Sequence, residues 1–244
     1  MSAIFSVEGN IGSGKSTLVK LLKDILPASF TDAKFIFLQE PVSIWKTVTD
    51  ENGTDVIEKF YANKSEYAFS FQMMAYISRL SQLRNVCKKN PNSIIITERS
   101  VFTDRNVFAK MLYNDKLIKE IDYKIYNMWF DEFIKEVPLS GLIYLNTEPE
   151  KCKERIIKRN RNGEEDISID YLANCKKYHD IWVNSSAKTP LIIDGNSDFL
   201  ELPETLNEII EKVLDYIKTE WKTNFAVKSP LDGDIDMLKS IHIC

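Results

Sequence analysis

The stretch EGNIGSGKST, residues 8–17, holds three of the eight glycines in a chain of 244 residues. Gly9, Gly12 and Gly14 lead into Lys15 and Ser16, and Gly9-x-x-x-x-Gly14-Lys15-Ser16 is the spacing of a phosphate-binding loop. Glycine lets the backbone turn tightly enough for successive N–H groups to point inward at a polyphosphate. A helix starting near Lys15 turns its unpaired N–H groups and positive dipole end on the same anion. Lys15 then reaches the β- and γ-phosphates, and the Ser16 hydroxyl is placed to ligate Mg²⁺. Asn10, Ile11, Ser13 and Thr17 complete the loop around the polyphosphate. A flexible Gly/Ser surface turn would share this composition, but the flanks argue against it. SAIFSVE is an apolar run of strand length, and Leu18, Leu21, Leu22, Ile25 and Leu26 recur at helical spacing.

Three further groups carry chemistry. Glu40 follows the apolar run FIFLQ; alone it reads as a carboxylate at a helix start, but opposite a triphosphate it can take the proton of an attacking hydroxyl. Glu98-Arg99 reads as a loop ion pair, or as Glu98 on the Mg²⁺ hydration shell with Arg99 on the transferring phosphoryl group or the acceptor oxygen. Lys151, Arg155, Lys158, Arg159 and Arg161 form a basic stretch. Lys151 and Lys158 suit a solvated helix with its basic end at the negative dipole terminus. Arg159 and Arg161, entering NRNGEED, suit a lid that clamps developing charge on closing.

The elements that must position these groups can be read from apolar spacing. Strand-like runs fall at Ile4–Val7, Phe35–Leu38, Ile94–Thr97, Leu142–Leu145 and Leu191–Ile193. Their near-continuous apolar character predicts a parallel sheet buried on both faces. A long helix is predicted from Lys64 to Lys88, another opening on a capping box with Thr147 as N-cap and Glu150 returning the bond, and a third starting at Ser168 and Asp170. The phosphate loop, Glu40, Glu98-Arg99 and Asp194-Gly195 each follow a strand, at the carboxyl ends where open α/β sheets bind ligands. That predicts a phosphoryl-transfer cleft. Residues from Phe225 to Cys244, with Pro230 and Gly233, break the pattern as an appended tail.

Bulk properties narrow the class. A formal net charge of −4 gives no general attraction to nucleic acid. No apolar run approaches the ~20 residues of a membrane span. The loop begins so near Met1 that no signal or transit peptide is expected. Cys87, Cys152, Cys175 and Cys244 are scattered, which favours reduced thiols in a cytoplasmic setting over a zinc site or disulfides.

Taken in order, EGNIGSGKST, QEP, FSFQMMAYISR, ERSVFTDRNVFA, RNRNGEE, ISIDYL and DGNSDF resemble the deoxynucleoside kinase family, in the branch that includes deoxycytidine and deoxyguanosine kinases. The resemblance runs from about Ile4 to about Tyr216. It implies a P-loop kinase fold, a five-stranded parallel sheet wrapped by helices, over residues 1–222 with a lid at about 155–167 and a tail at 223–244. It also implies a homodimer, ATP as donor, Mg²⁺, and a deoxynucleoside 5′-hydroxyl as acceptor. Glu40 matches the general base, Arg99 the arginine beside it, and Glu98 the residue near the metal. Trp45, Phe71 and Phe108 match pocket walls, Tyr61 the tyrosine on the 3′-hydroxyl, and Gln72 the amide on the base edge. Arg79 and Asp104 match a polar pair behind the base. Arg155 matches the adenine-side arginine, Asp198 and Phe199 lie in the adenine-side DGNSDF, and Arg159 and Arg161 match lid arginines. Glu164 matches the lid glutamate; Gly163 stands where a second acidic residue is common, which leaves Glu164 or Glu165 for that role. On composition alone the Gln72 helix would be core.

Two other functions share these motifs. A nucleoside monophosphate kinase of the thymidylate type would need more cations for the acceptor phosphate. A non-catalytic subunit would be expected to lose Lys15, Glu40 or Arg99, and all three are present. In thymidine-accepting relatives, the resemblance implies, the positions matching Arg79 and Asp104 are apolar or small and leave room for the thymine methyl. With an Arg79–Asp104 pair near Ala75 filling that space, deoxycytidine and purine deoxynucleosides are expected over thymidine.

Overall fold

The computed structural model describes residues 2–30, 33–161, 164, 166–199 and 202–226. The chain runs β1 (Ala3–Gly9), α1 (Lys15–Ser29), β2 (Phe35–Leu38), α2 (Val42–Trp45), α3 (Val56–Ala62), α4 (Lys64–Lys89) and β3 (Ile94–Glu98). After β3 come α5 (Val101–Thr103), a π-helical segment (Asp104–Ala109), α6 (Lys110–Asn114) and α7 (Glu120–Phe133). The rest is β4 (Gly141–Asn146), α8 (Pro149–Arg159), α9 (Ile169–Asn184), β5 (Leu191–Asp194) and α10 (Pro203–Ala226).

All five predicted strands form, in one parallel sheet of order β2-β3-β1-β4-β5. β1 is central and buried along its whole length. Its side chains alternate between faces, as the pleat requires. Ala3, Phe5 and Val7 join the core formed with α1 and α10, while Ile4 packs with Tyr76, Leu80 and Phe130 on the opposite side. β3 divides in the same way, Ile94 and Ile96 against Ile95. The expectation of burial on both faces fails at the margins: β2 is mostly half-buried and Ile192 of β5 is exposed. Both are edge strands with one sheet neighbour each, so helices do not cover them fully.

Two other expectations are corrected. α8 starts at Pro149 with Glu148 as N-cap and no side-chain cap bond. The Thr147 hydroxyl instead donates to the Ser13 carbonyl at 3.2 Å, since a phosphate loop with inward N–H groups leaves carbonyls outside that need donors. α10 continues through Phe225 to Ala226, into the first residues of the stretch expected as a tail; residues 227–244 lie outside the described residues. The Ser168 start of α9 is as expected, its hydroxyl accepting from the Tyr171 N–H at 3.1 Å. Among the described residues no helix is long and apolar enough to cross a membrane.

Candidate active site

β1 ends in the phosphate loop at the centre of the sheet's carboxyl edge. Gly14 precedes α1 at φ +102°, a left-handed conformation that glycine adopts without strain. At Gly12 a side chain is excluded for a second reason: a Cβ would lie 2.5 Å from the Cys152 carbonyl of α8. The first turn of α1 carries no acidic residue and no side-chain cap, so its N–H groups are left for an anion. Lys15 is buried and its ammonium donates to the Asn10 carbonyl at 2.6 Å. Burial, with Arg99 nearby, pulls the Lys15 amine down to about 7. A phosphate would restore its charge. The Ser16 hydroxyl donates to Glu98 Oε1 at 2.6 Å. These are hard oxygen donors of the kind Mg²⁺ takes, with phosphates and water supplying the other ligands. The described residues hold no group of three or more His, Cys, Asp or Glu that could bind a metal unaided.

The acceptor side is organised by two guanidiniums. Arg99 Nη1 donates to Glu40 Oε1 at 2.6 Å and Arg79 Nη2 donates to the same oxygen at 3.1 Å. Burial raises the Glu40 carboxyl, but Arg99, then Arg79 and Lys15, outweigh it and hold it at about 2. Arg79 continues outward, Nε donating to Asp104 Oδ2 at 3.0 Å and Nη1 to the Glu98 carbonyl at 3.0 Å. Arg99 itself has φ +60°, a strain of roughly 1–3 kcal/mol for a residue with a side chain. Its N–H donates to the Val7 carbonyl at 3.0 Å, and the Thr97 hydroxyl donates to its carbonyl at 2.9 Å.

α2, α3, α4 and the π-helical segment line the inner part of a cleft whose whole volume, phosphate loop included, is about 930 Å³. Trp45 and Phe71 meet edge to face with centroids 5.7 Å apart. Phe71 also stacks on Phe60 at 4.6 Å. Tyr61, Gln72, Ala75, Asp104 and Phe108 face the same space. Gln72 is buried, and its Oε1 has no hydrogen-bond partner. Such an acceptor inside a cleft is completed by a ligand donor. The widened π turn starts at Asp104, and such turns gather at functional sites.

The outer side is bound together by Arg155 of α8. Its guanidinium donates to the carbonyls of Ser13, Gly195 and Ser197, and to Asp198 Oδ1 at 2.9 Å. Arg155 and Lys151 hold the Asp198 carboxyl below its usual range. Lys151, expected to be merely solvated, is paired with Asp198 and Glu154. Phe199 is buried near Gly14. Lys158, also expected on the solvated side, lines the cleft with Arg159 and Arg161. Both lid arginines pair with Glu164, Arg161 at 3.3 Å and Arg159 more closely. The carboxylate that pairs with both lies within the same short stretch. Glu164 is buried and lines the cleft, while Gly163 and Glu165 lie outside the described residues. The reach of Arg79 to Glu40 was missed, because nothing in local spacing reports a contact between a strand end and the middle of a distant helix.

One cleft therefore has a polyphosphate cradle at one end, a carboxylate gripped by two arginines in the middle and an aromatic slot beyond it. That defines a P-loop phosphotransferase whose acceptor carries a flat ring. Within that class the chain belongs to the deoxynucleoside kinase family, whose profile, described as Deoxynucleoside kinase, matches residues 5–218. It is 32% identical to human deoxycytidine kinase over 244 residues, covering 88% of this chain and 90% of the relative. Identity to deoxycytidine kinase 2 of Gallus gallus is 34% over 224 residues, 80% of this chain and 82% of the relative. Identity to the mitochondrial deoxyguanosine kinase of Xenopus laevis is 31% over 196 residues, 73% and 72%.

Proposed function

We propose that this enzyme transfers the γ-phosphoryl group of ATP to the 5′-hydroxyl of a deoxynucleoside in nucleotide salvage. The observation that carries the reading is Glu40, held by Arg99 and Arg79 in the cleft that Lys15 also lines. Both guanidiniums take Oε1, which turns Oε2 to the acceptor. The 5′-hydroxyl gives its proton to Glu40 as its oxygen bonds to the γ-phosphorus, and the bond from that phosphorus to the β-bridging oxygen breaks to release ADP. A carboxyl held at about 2 is a weak base. It suffices for a loose transition state, in which the attacking oxygen needs little negative charge before the phosphoryl group has left its donor. Lys15 and the loop N–H groups hold the β- and γ-oxygens, Arg99 the transferring group, and Arg159 and Arg161 close over the donor. Ser16 and Glu98 would hold Mg²⁺, Ser16 directly and Glu98 through water, and the ion would supply positive charge to the phosphates.

Trp45, Phe71 and Phe108 wall the base, Gln72 reads its edge, Tyr61 and Glu164 hold the sugar, and Arg155, Asp198 and Phe199 form the adenine side. The Arg79–Asp104 pair fills the back of the base slot with charge, so deoxycytidine and purine deoxynucleosides are preferred to thymidine. A monophosphate acceptor fits less well, because Glu40, ionised between Arg99 and Arg79, suits a neutral hydroxyl and would repel a phosphate beside it. Ile121, Ile125, Met128 and Trp129 make an exposed apolar stripe on α7 with Ile77 of α4; we infer that a second copy of the chain covers it. Cys87, Cys152 and Cys175 are free, which supports a cytoplasmic enzyme.

The test is to offer ATP with Mg²⁺ and each deoxynucleoside or its 5′-monophosphate as acceptor, following ADP release. Deoxycytidine or a purine deoxynucleoside is expected to lead. A thymidine preference above tenfold in kcat/KM refutes the specificity, and turnover of monophosphates alone refutes the acceptor class.

A further inference from the structure

Glu8 is fully buried at the end of β1 and takes no part in the steps above. Its Oε1 accepts from the Ser100 hydroxyl at 2.7 Å and its Oε2 from the Thr103 hydroxyl. Two neutral hydroxyls are poor compensation for burying a carboxylate, and the same hole would take an apolar side chain at less cost. What the carboxylate does accomplish is geometric. Ser100 and Thr103 belong to the segment directly after Arg99, whose backbone sits in the left-handed region. A residue with a side chain stays there only where its surroundings over-determine it. The Val7 carbonyl and the Thr97 hydroxyl fix the Arg99 peptide from one side. Glu8 fixes Ser100, the N-cap of α5, and Thr103, its last residue, from the other. The strand that ends in the phosphate loop is thereby tied to the turn that carries Arg99.

We propose that Glu8 is a positioning residue for phosphoryl transfer, pinning Ser100 and Thr103 so that the Arg99 turn aims its guanidinium at Glu40 and the transferring group. This rests on the kinase reading above. Reach, not charge, is what the role requires. Glutamine keeps the reach: its carbonyl accepts from one hydroxyl and its amide donates to the other, which rotates to accept. Aspartate keeps the charge but is one methylene short.

The experiment is steady-state kinetics on the full chain with deoxycytidine and ATP, with a thermal melt of each variant. Glu8→Asp is expected to lower kcat by roughly ten- to a hundredfold, the scale of a small misplacement, with both KM values within threefold of the parent. Glu8→Gln, the conservative replacement, is expected to bring kcat back to within threefold. If Glu8→Asp does not fold, Ser100→Ala carries the same test by removing one of the two hydroxyls, with the same fall in kcat at unchanged KM. Parental kcat in Glu8→Asp, or in Ser100→Ala where that stands in, overturns the proposal. So does an equal loss in Glu8→Gln, which would make charge the requirement. A parent that phosphorylates no deoxynucleoside overturns the kinase reading itself, a result separable from either variant outcome.

Discussion

Replacing Arg79 by methionine tests the buried charge cluster most directly. The guanidinium is 4% exposed and the Asp104 side chain 3%. It donates to Asp104 Oδ2 and Oδ1 at 3.0 and 3.4 Å, to the Glu98 carbonyl at 3.0 Å and to Glu40 Oε1 at 3.1 Å. Methionine supplies none of these bonds and leaves Asp104 buried without the cation that faces it. Breaking such a pair from one side costs about 3–5 kcal/mol. Burial already pushes the Asp104 carboxyl up against the pull of Arg79, and without Arg79 it rises further. A carboxyl raised above its unfolded value near 3.8 costs stability as pH climbs from there through the folded value, and the loss is then constant. Relative to the parent, the deficit of the Arg79→Met protein therefore grows only above the parent's own raised Asp104 value, towards neutrality. Adding Asp104→Ala removes the stranded charge and is expected to recover about 1–3 kcal/mol while raising thymidine use relative to deoxycytidine. Urea unfolding followed by circular dichroism at pH 5 and pH 7 measures all three proteins. A loss below about 1 kcal/mol at pH 7, or a double variant less stable than the single one, refutes the reasoning, because Asp104 would then not depend on Arg79.

Glu40→Gln is expected to lower kcat by roughly 10²–10⁴ while calorimetry shows deoxynucleoside affinity within a few fold of the parent; unchanged kcat removes Glu40 from the base role. Hydrogen exchange at the Glu164 and Ile167 amides, bonded to the Arg161 and Glu164 carbonyls, is expected to slow when nucleotide binds. Equal exchange with and without ligand would leave Arg159 and Arg161 as ordinary surface charges. Met128→Glu, at a side chain 72% exposed in the α7 stripe, is expected to halve the mass seen by sedimentation at micromolar concentration. A mass unaltered by that change places any partner copy elsewhere.

What could be read beforehand follows the range of the interactions. Strands β1 and β3 were legible because continuous apolar runs report burial on both faces, and the phosphate loop because each of its constraints is local. Ser168 as a cap was legible for the same reason. Thr147 misled because its hydroxyl serves a loop more than a hundred residues away in sequence. Arg79 was legible as a partner of Asp104 through the family resemblance, yet its second carboxylate, Glu40, is a contact that only the assembled sheet creates. The Glu164 partnership did have a local signal, since it follows Arg161 by three residues and Arg159 by five. Glu8 also left a trace: a carboxylate at the end of an otherwise apolar strand run.

α10 completes the core face on which α1 rests. Ile209, Val213 and Ile217 pack with Phe5, Val7 and Leu22, and the Tyr216 hydroxyl accepts from the Leu142 N–H at 2.9 Å and donates to the Thr189 carbonyl at 2.8 Å. The phosphate loop leaves the ribosome well before α10, so the hydrophobic face beneath it lacks its cover until residues beyond 217 have emerged. Completion of the core beneath the catalytic cleft thus waits for α10. Through that interval the apolar faces of β1 and α1 are exposed together, the condition under which a nascent chain is prone to aggregate and comes to depend on chaperones.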